Sequence, residues 1–134
     1  MGRATAKLSS KLIAKPAAKT SLHLRIDFGA GRSIGPGKIR LLELINETGS
    51  ISAAGRALEM SYRQAWLLVD ELNRMFGDPV VTAQTGGGGG GGAAVTEVGN
   101  DIVRLYRDME RRAYGASTAE IRALSRRLGP VLPK

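Results

Sequence analysis

Gly49–Phe76 reads GSISAAGRALEMSYRQAWLLVDELNRMF, and the rest of the chain is placed by how this stretch is read. Its apolar residues recur at helical spacing in two runs. Ile51, Ala54 and Leu58 fall at i, i+3 and i+7, and Ala65, Leu68, Val69, Leu72 and Phe76 make a second stripe. Ser50 or Ser52 can cap the first run and Ser61 the second, because a serine hydroxyl accepts from the free N–H groups of a first helical turn. Met60 lies in the turn between them. A short helix, a tight turn and a longer helix with a polar leading end is the helix-turn-helix pattern. In that motif the second helix enters the DNA major groove with its first residues against base edges. Here those residues are Tyr62, Arg63 and Gln64, followed one turn later by Trp66 and Leu67.

The totals agree with this reading. At 134 residues the chain has room for one domain with a modest core, plus tails, and 43% apolar content is ordinary for a globular protein. A formal net charge of +8 is not ordinary and points to a polyanion, nucleic acid first. An acidic membrane surface, or a basic surface that only confers solubility, competes with it. The absence of cysteine excludes disulfides, thiolate metal sites and cysteine nucleophiles. With the single histidine, His23, neither a zinc site nor a Ser-His triad has its residues. No catalytic residue, metal site or cofactor is expected. No apolar run approaches the 18 or so residues of a membrane span, and the start lacks a signal-peptide core. A cytoplasmic location is the default expectation.

In chain order, residues 1–20 carry Arg3, Lys7, Lys11, Lys15 and Lys19 and no acid, which reads as a disordered basic tail or an arm for phosphates. Residues 21–28, SLHLRIDF, alternate Leu22, Leu24, Ile26 and Phe28 with His23, Arg25 and Asp27, the period of a half-buried strand. His23 falls on the polar face. GAGRSIGPG then reads as a loop, and Pro36 suits the first turn of a helix whose apolar residues are Ile39, Leu41, Leu42, Leu44 and Ile45. Gly49 can close that helix. After the helix pair, Gly77, Asp78 and Pro79 break the chain. Val80–Thr85 and Ala93–Thr96 read as strands around the tip Gly86 to Gly92, a hairpin wing. The glycine run lacks the Gly-Lys-Ser/Thr of a phosphate-binding P-loop. A long helix follows, capped by Thr96 or Asn100 and ended by Gly115, with Val98, Ile102, Leu105, Tyr106 and Met109 along one side. Ser117-Thr118-Ala119-Glu120 has capping-box spacing for a last helix through Leu128. The expected fold is mainly α: a winged helix-turn-helix with a short N-terminal strand, a β-hairpin wing and long C-terminal helices. Residues 1–20 form the tail, 21–96 the DNA-binding domain and 97–134 the C-terminal helices.

With these motifs in order, the chain resembles the N-terminal DNA-binding domain of ModE-type molybdate-responsive regulators, relatives of the LysR-type winged helix. The residues that carry the resemblance are Gly49-Ser50-Ile51-Ser52, Ser61-Tyr62-Arg63 with Ala65-Trp66, and the glycine wing leading to Val95-Thr96 and Gly99. It covers about Ser21 to Ala113. In that family the wing glycines are interrupted by other residues, often basic, where this chain has Gly88 and Gly89. The family senses molybdate with a separate C-terminal module, for which a chain ending at Lys134 has no room. The resemblance therefore implies double-stranded DNA binding and dimerisation, with molybdate binding not expected.

The candidate DNA contacts are Lys38, Ser50, Ser52, Ser61, Tyr62, Arg63, Gln64, Trp66, Gln84 and Thr85. Arg63 is the best base-reader, since its fork fits guanine O6 and N7; a phosphate contact is the plainer role. Gln64 suits adenine. Tyr62 offers its hydroxyl to a phosphate or its ring to Trp66. Ser50 and Ser52 are caps, phosphate ligands, or both. Lys38 and Arg40 are backbone contacts or a solvated face. Val98, Ile102, Leu105, Tyr106 and Met109 are candidates for a homodimer interface or for the chain's own core. Two other functions compete: non-specific architectural coating of DNA, and sensing of a small oxyanion such as molybdate.

Overall fold

The structure, a computed structural model, describes residues 19–85 and 91–132, the Thr85 side chain excepted. The expected basic tail lies almost wholly outside the described residues, as does most of the wing tip.

Pro36–Thr48 forms α1, and the fold is built around it. Proline stands in its first turn, where a missing N–H costs nothing. Gly49 ends it at φ 71°, a left-handed turn that glycine adopts without strain, and the Gly49 N–H closes on Ile45 O at 2.8 Å. Ile39, Leu41, Leu42, Leu44 and Ile45 are all buried, which is too wide a face for a helix that covers a core from one side. Neighbours pack around α1 instead: the helix-turn-helix, the wing and the long C-terminal helix. Each of these aliphatic side chains contributes about 1.5–3 kcal/mol by leaving water.

Ahead of α1 stands a small hairpin, β1 (Ile26–Gly29) and β2 (Arg32–Ile34), antiparallel with Ile26 opposite Ile34 and a register shift between Asp27 and Gly29. Gly29, Ala30 and Gly31 all have positive φ and make the tight turn. Two expectations are corrected here. The strand is shorter than residues 21–28, because its three-residue partner can pair only with its end. The second strand lies within what reads as a loop. The alternation still holds at Leu22, Leu24 and Ile26, which are half-buried, while Phe28 is exposed and meets Phe76 edge-on at 6.4 Å.

The helix pair is α2 (Ile51–Ala57) and α3 (Tyr62–Met75). Ser50 caps α2, its hydroxyl accepting from Ala53 N at 3.0 Å, and Ser61 caps α3 by accepting from Gln64 N at 3.0 Å. The two helices approach so closely that a Cβ on Gly55 would stand 2.9 Å from Ala65 Cβ. Behind them β3 (Val81–Thr85) and β4 (Gly91–Val95) pair antiparallel, with Val81 opposite Val95 and Thr85 opposite Gly91. The glycine run is therefore not all tip. Gly91 and Gly92 are strand residues, and a Cβ on Gly92 would press to 3.1 Å from Gly49 O.

Thr96 caps α4 (Glu97–Ala116) by accepting from Gly99 N at 3.0 Å. Gly115 does not break this helix, which runs to Ala116 before α5 (Thr118–Ser125). Nor does the Ser117 side chain cap α5; the Thr118 hydroxyl donates to Gly115 O at 2.9 Å instead.

Candidate nucleic-acid interface

The outward side of α3 follows from its inward side. Ala65, Val69 and Leu72 are buried, and at roughly 100° per residue the opposite side carries Arg63, Leu67, Asp70 and Arg74. Tyr62, Arg63 and Gln64, the leading turn, are all exposed, Tyr62 by 58%. Arg63 forms no ion pair among the described residues. Its guanidinium is free for a partner.

Tyr62 and Trp66 flank this line on the wing side. The Trp66 indole N–H donates to the Tyr62 hydroxyl oxygen, and the rings meet edge to face at 6.4 Å and 80°. Trp66 remains 42% exposed. With Ile51, Ala83, Gly92 and Ala93 the pair lines a shallow concavity of about 240 Å³ between α3 and the wing. Because the indole hydrogen occupies a lone pair of the phenol oxygen, the phenol's own hydrogen is left to donate outward.

Asn73 holds the wing to α3. Its carbonyl oxygen accepts from Val80 N at 2.7 Å and Val81 N at 3.0 Å, and its amide donates to Val81 O at 3.1 Å. A second tie joins Ala93 N to Gly49 O at 2.9 Å. Sequence reasoning missed Asn73, and spacing alone offers no signal for it.

Several expected contacts prove to be engaged within the fold. The Lys38 ammonium is largely covered; it donates to Ser33 O at 2.7 Å and Glu71 Oε2 at 3.2 Å, tying β2 and α3 to the start of α1. That corrects its reading as a free backbone contact. Arg40 likewise pairs with Glu43 and Glu47 at 3.2 and 3.4 Å. Ser50 and Ser52 are half-buried, the first as a cap and the second accepting from Arg56 Nη1 at 3.0 Å. Ser61 is exposed beside its cap. Gln84 is exposed on β3, and Thr85 is placed only by its pairing. The sequence has no Lys or Arg between Arg74 and Arg104, so the wing strands bring no cation.

On α4, Leu105 is 51% exposed and Met109 is exposed as well, while Val98 and Ile102 are half-buried. Tyr106 is corrected. It is fully buried, donating its hydroxyl to Leu24 O at 2.6 Å, and so belongs to the core of its own chain. Burial, and after it the Glu110 charge, raises the Tyr106 pKa and keeps this donor protonated.

Among the described residues no cluster of His, Asp or Glu could hold a metal, and no helix is long and apolar enough to cross a membrane. A capped helix pair, an open leading turn and a hairpin beside it define a winged helix-turn-helix domain. Residues 37–100 match the family model described as bacterial regulatory helix-turn-helix protein, lysR family. The fold also matches the crystal structure of a LysR family transcriptional regulator, with TM-score 0.50 and 17% identity over 65% of this chain and 28% of that one.

Named relatives narrow the class. The chain is 34% identical over 92 residues to the transcriptional regulator ModE of Haemophilus influenzae, covering 69% of this chain and 36% of the relative. It is 34% identical over 87 residues to the molybdenum transport protein ModE of Azotobacter vinelandii (65% and 32%), and 45% over 75 residues to the molybdenum-pterin-binding protein MopA of Rhodobacter capsulatus (56% and 28%). It spans about a third of the length of such relatives. Their names are those of regulatory, transport and binding proteins rather than of enzymes. This chain carries a ModE-like winged helix-turn-helix domain.

Proposed function

We propose that this protein binds double-stranded operator DNA as a homodimer and regulates transcription, with the leading turn of α3 in the major groove. The observation that carries the reading is the exposure of Tyr62, Arg63 and Gln64 on a helix whose opposite side is sealed into the core. Arg63 reads a base, Gln64 a neighbouring one, and the Tyr62 hydroxyl, held by Trp66, takes a phosphate. Ser50, Ser52 and Ser61 border the same face. Gln84 and Thr85 place the wing against the backbone, and the five basic residues of 1–20 add phosphate contacts without sequence preference. Residues 21–96 make the DNA-binding unit and 97–134 the pairing unit. Pairing runs through the outer side of α4, where Leu105 and Met109 are open, with Val98 and Ile102 at its edge.

Selection of bound fragments from random DNA tests the reading. A dimer of this kind should select two inverted half-sites with centres about one helical turn apart, or a multiple of it. Recovery of fragments with no shared sequence would instead favour non-specific coating.

A further inference from the structure

We infer that Leu67 is a specificity-determining residue that reads the 5-methyl group of a thymine; the inference rests on the DNA-binding reading above. Leu67 is 55% exposed and sits on the line of α3 opposite Ala65, Val69 and Leu72. It stands one turn beyond Arg63, so the two side chains are neighbours on the same face. Scattered exposed leucines are ordinary on protein surfaces. This one occupies the middle of the surface that faces a duplex when the α3 leading turn enters the groove.

The chemistry of the groove then selects its partner. The major-groove edges of base pairs are donors and acceptors, apart from the methyl of thymine. An isobutyl group pressed on guanine O6 and N7, or on the cytosine amino group, strips water from polar atoms and returns no hydrogen bond. Against the thymine methyl the same side chain buries apolar surface on both sides. Its surroundings fit a duplex better than a protein partner. Leu67 borders a concavity of about 340 Å³ lined also by Arg32 of β2 and by Asp70, Glu71 and Arg74 of α3, and the unpaired Arg63 precedes it. Both acids here are paired, Asp70 with Arg74 and Glu71 with Lys38. Four residues of helix rise about 6 Å, so the thymine lies within about two base pairs of the base that Arg63 reads.

The test uses the full chain and the fragment recovered by selection, with each thymine of a half-site replaced in turn by uracil, which lacks only the methyl. One position should weaken wild-type binding about fourfold, the value of one buried carbon. At that position Leu67→Ala should bind the thymine and uracil duplexes equally, while still discriminating at the base read by Arg63. Leu67→Gln is the second variant and should behave as Leu67→Ala does, with thermal unfolding unchanged in both. A uracil penalty that survives both substitutions, or no uracil-sensitive position in a half-site that wild type clearly selects, overturns the role of Leu67 and leaves the DNA-binding reading standing. Failure of wild type to select any sequence removes both.

Discussion

At the scale of single residues, one tie between α1 and α4 is ionic, beside the hydrogen bond from Asn46 to Asn100 at 2.7 Å. Arg107 sends Nε to Glu43 Oε2 and Nη2 to Glu43 Oε1, both at 2.9 Å, the two-pronged geometry that suits guanidinium and carboxylate. Its Nη1 donates to Glu110 Oε1 at 2.6 Å. The hydrogen bond from Arg107 holds the Glu43 carboxyl below its ordinary value of 4.5, against the opposing effect of burial, and the same bond raises the pKa of Arg107. A carboxylate whose pKa is depressed on folding stabilises the fold above its unfolded pKa, and the stabilisation is lost as pH falls through the folded one. Glu43→Gln should therefore cost about 1 kcal/mol at neutral pH, a modest figure because the pair is partly exposed. The difference from wild type should shrink as pH falls below 4.5. Denaturant titrations across that range check it; a gap that persists unchanged to strongly acid pH would mean that charge is not what holds the helices. None of this was legible beforehand. Glu43 and Arg107 are 64 positions apart, and each reads alone as a solvated charge on a helix. His23, read as a solvated strand residue, is exposed and lies 3.4 Å from Glu110.

Among the elements, the wing shows most clearly what sequence pattern does and does not reveal. Its strands are legible, because short β-prone runs flank a glycine tract. Its polar attachment is not, since that rests on one asparagine of α3 and on a carbonyl at the end of α1, beside the burial of Val81, Ala93 and Val95 in the core. Asn73→Ala leaves the Val80 and Val81 amides without their acceptor and should destabilise the protein by about 1–3 kcal/mol in denaturant titration. A change below about 0.5 kcal/mol would show that water replaces the side chain and that the wing is held elsewhere. The β1–β2 hairpin escaped notice because β2 is three residues long and its apolar content is one isoleucine, Ile34. Gly115 misleads for another reason: a helix-interior glycine costs only about 1 kcal/mol, which a twenty-residue helix tolerates. The caps at Ser50, Ser61 and Thr96 were readable, because a hydroxyl just ahead of an apolar stripe has a local reason to be there.

Across the whole molecule, apolar burial and free charge are divided between opposite tasks. The core gathers on α1 and draws from every neighbouring element, Tyr106 of α4 included. Much of the charge inside the fold is spent on ties such as Lys38–Glu71 and Arg107–Glu43. Arg63 remains open at the head of α3, and the exposure of this turn is legible from sequence because its residues do not belong to the buried stripe. Lys38 and Tyr106 read differently in sequence because Glu71, which pairs with the first, and the Leu24 carbonyl, which accepts from the second, are far away along the chain. The most direct measurement compares Arg63→Ala with wild type on the selected fragment and on a random duplex, over a range of salt. On the selected site the substitution should cost about 1–3 kcal/mol beyond its effect on random DNA, while log affinity of wild type falls with log salt by about 0.9 per phosphate neutralised. Equal losses on both duplexes would contradict base reading by the open turn of α3.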